Sequence, residues 1–315
     1  MTLPRRQLPN EVVSLVRRTH RREYTLTPGD MTNEIVAYQM AIAASEHQQS
    51  VHAVVAMCNH IHTIVHDHNA TRSDFMRDLN AGIARAMNRS LGTFGSFWDS
   101  DGYGEVLLLN LTAIEQQIVY TCLNPVATGE VDSLDEWPGF IVRPRDWGKP
   151  VRVSKPECFY GDDRPDVAEF TPQPPPGYEN RSLDEVIEYF ENLIEEGRQK
   201  LLAARPEARP KKKPFTPPAP HEAPSTPVSR ERTRPRFAAG DPALIAQARE
   251  QYRGFLELYR RQRKKWLKGA KPRRCVFPPG TVWLRKHSPV LCAPPPPVSL
   301  GVFPPRPTEA PPVAA

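Results

Sequence analysis

Apolar and polar positions along the first half of the chain alternate between two periods. Residues 11–27 (EVVSLVRRTHRREYTLT) predict a strand around Val12–Val16, an arginine-rich turn and a short strand at Glu23–Thr27. Ile35, Tyr38 and Ile42 stand at helical spacing through about Ser45, with Asp30 as the expected cap. Val51–Cys58 is apolar at almost every position, as in a strand buried on both faces. It continues through Asn59, the expected bend, to a second β-rich run ending near His66. Thr71-x-x-Asp74 has the form of a capping box before a helix carrying Phe75, Leu79, Ile83 and Met87. Gly92, Gly95 and Ser96 end that helix, and Phe97–Leu109 returns as a strand. Thr112-x-x-Glu115, a second such box, opens a helix with Ile114, Ile118 and Cys122 as its apolar stripe. The order strand, helix, strand, strand, helix, strand, helix predicts an α+β fold, an antiparallel ferredoxin-like (RRM-like) sheet with helices packed on it.

Proline separates this unit from the rest. Seven of the 36 prolines precede residue 151. The expected division is a folded domain at 1–150, a linker and acidic helix at 151–204, and a basic, largely disordered Pro-rich extension at 205–315 with isolated helices. Ser182-x-x-Glu185 opens the acidic helix, with Val186, Phe190 and Leu193 on its apolar side. Asp241-Pro242 opens another near 242–268, with Ile245, Ala248, Tyr252, Phe255 and Tyr259 at heptad-like spacing.

Charge follows the same division. Residues 1–150 carry 13 Lys and Arg against 17 Asp and Glu, residues 151–204 carry 6 against 12, and residues 205–315 carry 23 against 7. The basic character therefore belongs to the extension, where the end of the second helix (RRQRKKWLKG) and Lys211–Lys213 are candidates for gripping a nucleic-acid backbone. The competing use is internal: the acidic helix packing on the basic one and masking it. Five cysteines without a Cys-x-x-Cys pair, and no signal-like apolar run after the N-terminal arginines, point to a reducing, cytoplasmic setting. No segment approaches the ~20 apolar residues of a membrane span.

The candidate chemistry begins at Met57-Cys58-Asn59-His60-Ile61-His62. On a strand the period of two places His60 and His62 on one face, where two imidazoles can hold one divalent ion; two solvent-facing or hydrogen-bonded histidines have the same spacing. His66 and His68 continue that face as surface or supporting groups, with Asp67 pointing away. On the third helix Gln116, Tyr120 and Asn124 form an i, i+4, i+8 row roughly opposite the apolar stripe, and Pro125 ends the helix. A half-buried aromatic and a simple helix stop are the structural alternatives for Tyr120 and Asn124. Arg17, Arg18, Arg21 and Arg22 form the densest positive cluster of the domain, and Arg85 and Arg89 stand one turn apart on the second helix. Each set is a candidate phosphate contact or a solvated surface.

The strand motif MCNHIH followed about sixty residues later by YTCLNPV resembles the HUH-superfamily single-strand tyrosine transposases, and in particular the REP-associated tyrosine transposases. That group carries an M-P-N-H-hydrophobic-H strand and a Y-x-x-x-N-P-V helix end. Trp137-Pro138 and the arginine-rich RRTHRREY also suit it. The resemblance covers roughly residues 10–145 and nothing beyond residue 150, and Cys58 stands where the family usually has proline.

What the resemblance implies is metal-assisted nicking and strand transfer on single-stranded, hairpin-forming DNA by a nucleoid-associated protein. Tyr120 would be the nucleophile giving a 5′-phosphotyrosine. His60, His62 and Asn124 would hold Mg²⁺ or Mn²⁺, though imidazole ligands leave zinc open. Two rivals remain: a catalytically inactive domesticated hairpin-DNA binder, and a His-metal phosphoesterase that activates water. The pattern leaves open a monomer or a homodimer.

Overall fold

The computed structural model describes residues 4–159, 164–205, 215–225, 235–296 and 301–303. Lys211–Lys213 lie outside the described residues. Along the chain come β1 (Glu11–Arg18), α1 (Asp30–Glu46), β2 (Gln49–Met57), β3 (His60–Asp67), α2 (Arg72–Ser90), β4 (Gly104–Leu108), α3 (Leu111–Cys122) and α4 (Asn124–Ala127). There follow β5 (Ile141–Val142), β6 (Val151–Ser154), β7 (Val167–Phe170), α5 (Leu183–Ala203), β8 (Phe237–Ala238), α6 (Pro242–Leu267), β9 (Val276–Phe277), α7 (Val282–His287) and β10 (Leu291–Cys292).

The main sheet runs β5-β2-β3-β1-β4-β8. Its central four strands pair antiparallel throughout, in the ferredoxin-like order. The expected strand at Glu23–Thr27 is instead a turn, preceded by a 3-10 turn at His20–Arg22 in which Arg21 and Arg22 have φ of 51° and 63°.

Period-two alternation places the two faces of the sheet in different cores. Val13, Leu15, Val54, Ile61 and Val65 pack with α1 and α2. Val12, Val55 and Ile64 pack with Ile114, Ile118 and Cys122 of α3 and with Val186, Phe190 and Ile194 of α5. On α5 it is thus Ile194, rather than Leu193, that completes the buried row. Gly197 lets α5 close on α3, since a Cβ there would lie 2.7 Å from Leu123 Cδ1. The acidic and basic helices bury on opposite faces: Ala248, Tyr252, Phe255 and Leu256 of α6 join the α1/α2 core, while α5 joins the α3 core. Phe237–Ala238 adds to the sheet, parallel to β4.

The helix starts correct several expectations. Asp30 is the first helical residue, after Gly29 at the cap. Thr71 caps α2 by position without a side-chain bond, because its hydroxyl donates to the His47 carbonyl 2.8 Å away. Asp67 takes over, accepting from the backbone N–H of Thr71 (2.8 Å) and of Arg72 (3.2 Å). Asn110, not Thr112, caps α3 by accepting from the Ala113 N–H at 3.0 Å. Glu115 is drawn away to the hydroxyls of Tyr178 and Tyr189, which donate to it at 2.5 and 2.8 Å. Ser182–Glu185 is a capping box, and Asp241 caps α6.

Asp67 also belongs to a buried ionic node. The Arg72 guanidinium, 1 % exposed, lies 2.9 Å from Glu11, 3.1 Å from Asp67 and 2.9 Å from Glu105. Burial raises the Glu11 carboxyl above its usual range, although Arg72 and Arg6 oppose this.

Candidate metal and tyrosine site

Met57 pairs with His60, so Cys58-Asn59 is a two-residue hairpin turn and the histidines open the returning strand. Register sets His60 between Met57 and Arg18, and His62 between Val55 and Val16. Both rings face α3, as period two requires. Their centroids lie 4.8 Å apart, edge to face, and the Tyr120 ring stands 5.8 Å from His62. The two motifs, about sixty residues apart in sequence, therefore meet.

The protonation state of the pair follows from its surroundings. Burial, then the charges of His62, Arg18 and Arg22, hold His60 well below the usual histidine range. Burial and Arg18 push His62 down to about 4. Both imidazoles are neutral at pH 7, the form that offers a lone pair. Asn59 fixes one tautomer. Its amide Nδ2 donates to the Arg22 carbonyl at 3.0 Å, so the atom 2.7 Å from His60 Nδ1 is the amide oxygen, which can only accept. His60 Nδ1 thus carries the hydrogen and Nε2 the lone pair.

These residues fit a divalent cation. His62 Nδ1 is buried with no hydrogen-bond partner among the described residues. With metal–nitrogen bonds of about 2.1 Å, two imidazoles sharing an ion stand roughly 5 Å apart between centroids, close to the spacing found. An imidazole with its far N–H bonded to an amide oxygen is the usual oriented ligand. Sequence reasoning named Asn59 only as a bend; its place in the turn, one residue before His60, is the signal for its second role.

Tyr120 and Asn124 do not share one exposed row. Tyr120 is 54 % exposed, whereas Asn124 is buried. The helix breaks at Leu123 and resumes with Pro125 in the first turn of α4, so the chain turns Asn124 inward instead of stopping at the proline. Asn124 Nδ2 donates to the Tyr120 carbonyl at 3.0 Å, which ties the break to the tyrosine's own turn.

The arginines separate into groups. Arg18 and Arg22 bear electrostatically on His60, and Arg21 is exposed beside them. Arg17 faces the other side, opposite Ile61 in register, with its guanidinium 5.7 Å from the Trp98 ring centre. Arg85 and Arg89 are exposed on α2, across the sheet from α3. Of the two expected places for the His66 and His68 pair, surface or supporting, burial excludes the surface for His66, whose ring lies 4.1 Å from that of His68, and Asp67 points away, as expected, into the Arg72 node.

Among the described residues no helix is long and apolar enough to cross a membrane. No protein-family model and no curated protein matches the sequence. Among solved structures, one of a REP-associated tyrosine transposase bound to a REP hairpin is 17 % identical, with a TM-score of 0.39, covering 46 % of this chain and 84 % of that one. A putative transposase from Deinococcus radiodurans R1 is 18 % identical, with a TM-score of 0.28, covering 37 % of this chain and 93 % of that one.

Proposed function

We propose that this protein is a transposase-like enzyme that nicks and rejoins single-stranded, hairpin-forming DNA through a covalent tyrosine intermediate. The observation that carries the reading is the seating of Tyr120 against His62, itself edge-on to His60. A partly exposed phenol beside two neutral, lone-pair-bearing imidazoles is an arrangement suited to phosphoryl transfer and idle in a packed core.

In this reading His60, through Nε2, and His62 would hold Mg²⁺ or Mn²⁺, with Asn124 as a third donor. When bound, the ion would polarise the scissile phosphate and offset charge on its oxygens. Tyr120 Oη attacks phosphorus and loses its proton; the bond from phosphorus to O3′ breaks and O3′ gains a proton. The products are a 5′-phosphotyrosine and a free 3′-hydroxyl. The phosphodiester energy is retained in the new ester, so a second 3′-hydroxyl can reverse the exchange on another end. Rigid placement is the contribution of α3, which carries the nucleophile on a helix packed against the histidine strand. Arg18 and Arg22 add positive charge on the same side for the DNA backbone.

The test is incubation of labelled hairpin DNA bearing single-stranded flanks with Mn²⁺, followed by denaturing electrophoresis. A protein–DNA adduct that disappears in Tyr120→Phe is expected. Cleavage that survives Tyr120→Phe would instead assign the site to a water-using phosphoesterase, and binding with no cleavage would assign it to an inactive DNA binder.

A further inference from the structure

A cavity opens on the other side of the arginine turn from the histidine pair. It has a volume of about 420 Å³ and is lined by His20, Arg21, Asn88, Phe94 and His221, among others. It adjoins the histidine pair through the backbone: the Thr19 N–H donates to the Asn59 carbonyl at 2.9 Å, one residue before His60. The turn thus has two sides, with Arg18 and Arg22 acting on His60 while His20 and Arg21 line the cavity.

Phe94 is the unusual member. It is 96 % exposed at the tip of Leu91-Gly92-Thr93-Phe94-Gly95-Ser96, yet the loop is not slack. The Thr93 N–H donates to the Asn88 carbonyl at 2.7 Å, Asn88 Nδ2 donates to the Gly95 carbonyl at 3.1 Å, and the His20 N–H donates to the Phe97 carbonyl at 2.8 Å. Gly92 and Gly95, at φ of 63° and 101°, supply the left-handed turns that hold the ring outward. In the turn beside it Arg21 and Arg22 both occupy the left-handed region, and of the two it is Arg21 that lines the cleft, with His20 and Glu23. A braced, solvent-facing aromatic ring that shares a cleft with the Arg21 guanidinium matches the chemistry of an unpaired nucleobase with its phosphate.

We infer that the cleft between the Arg21 turn and Phe94 binds one unpaired base of single-stranded DNA, stacked on Phe94, next to the phosphate presented to Tyr120. Its position beside the scissile phosphate rests on the proposed function; base binding itself does not. Polynucleotide crossing the turn would leave one phosphate between Arg18 and the histidines and turn the adjoining base into the cleft, giving the site a sequence preference at that nucleotide.

The test uses the full chain as Tyr120→Phe, without divalent metal, and a hairpin oligonucleotide whose single-stranded flank carries 2-aminopurine at one position at a time. One position should be quenched on binding. Adding Phe94→Ala should abolish that quenching and weaken binding about tenfold or more, while Phe94→Trp restores both. Unchanged quenching and affinity in Phe94→Ala would overturn the inference, whatever the wild type does to DNA. Quenching that is lost in Phe94→Ala, beside a wild-type chain that forms no tyrosine adduct with Mn²⁺, would keep the base cleft and overturn only the cutting reaction.

Discussion

Asn59 holds His60 in one tautomer: its side-chain oxygen accepts from Nδ1 at 2.7 Å, while the same amide is anchored on the Arg22 carbonyl. A single side chain therefore links the arginine turn to the orientation of the first imidazole. The link can be separated from the imidazole itself, since Asn59 offers the candidate ion nothing directly.

Asn59→Ala should lower Mn²⁺ affinity roughly 10–100-fold, the usual cost of losing an outer hydrogen bond to a ligating histidine. Calorimetric titration measures this directly. His60→Ala should lose adduct formation while retaining most hairpin binding, because affinity is assigned to the arginines and the extension. Equal Mn²⁺ binding by wild type and Asn59→Ala would break the assignment of His60 Nε2.

Acid should destabilise the fold through His62. Its unfolded value is near 6.5 and its folded value about 4, so the unfolded chain takes up the proton first as pH falls. Stability is complete above pH 6.5 and declines between 6.5 and 4, by about 3 kcal/mol from this group alone. Urea denaturation of wild type and His62→Gln across that interval isolates the contribution; identical pH slopes would contradict it.

The Arg72 node should be far less tolerant than a surface ion pair. Arg72→Met removes the cation and leaves Glu11, Asp67 and Glu105 facing one another in the interior. The expected loss is about 3–5 kcal/mol, seen as a lower denaturation midpoint. Arg77→Met, at an exposed pair with Asp74 and Asp78, should change stability by less than about 1 kcal/mol.

The second half of the chain should likewise prove structural. Phe255 lies in the core shared with α1 and α2, and Phe255→Ala is expected to cost about 3–5 kcal/mol. Thermal melting of that variant beside one with Lys264, Lys265 and Lys268 changed to Gln separates the two faces of α6. The lysine variant should melt normally and show a shallower salt dependence of DNA binding.

Period made the central strands and helices, and the shared face of His60 and His62, legible in the sequence, because strand and helix periods are local properties; the meeting of that pair with Tyr120 was implied only by the resemblance of the two motifs to one family. Caps were less legible, since several groups compete for one N–H. Asn110 stands two residues before Thr112, and Thr71 has a better acceptor in His47. Asn124 was misplaced because Leu123 breaks the helix before the proline that seemed to end it. β8 could not be read at all: a two-residue strand is made by its partner rather than by its own residues.

That partner is distant. Leu107 and Leu108 of β4 pair with Phe237 and Ala238, roughly 130 residues further along the chain, and the parallel pairing has no hairpin to guide it. During synthesis the ferredoxin-like strands can assemble while the outer side of β4 still shows unpaired backbone. At about 5–20 residues per second the cell must tolerate that open edge for on the order of ten seconds. The nascent domain is then most exposed to strand-to-strand association with its neighbours, and release of the C-terminal half closes that interval.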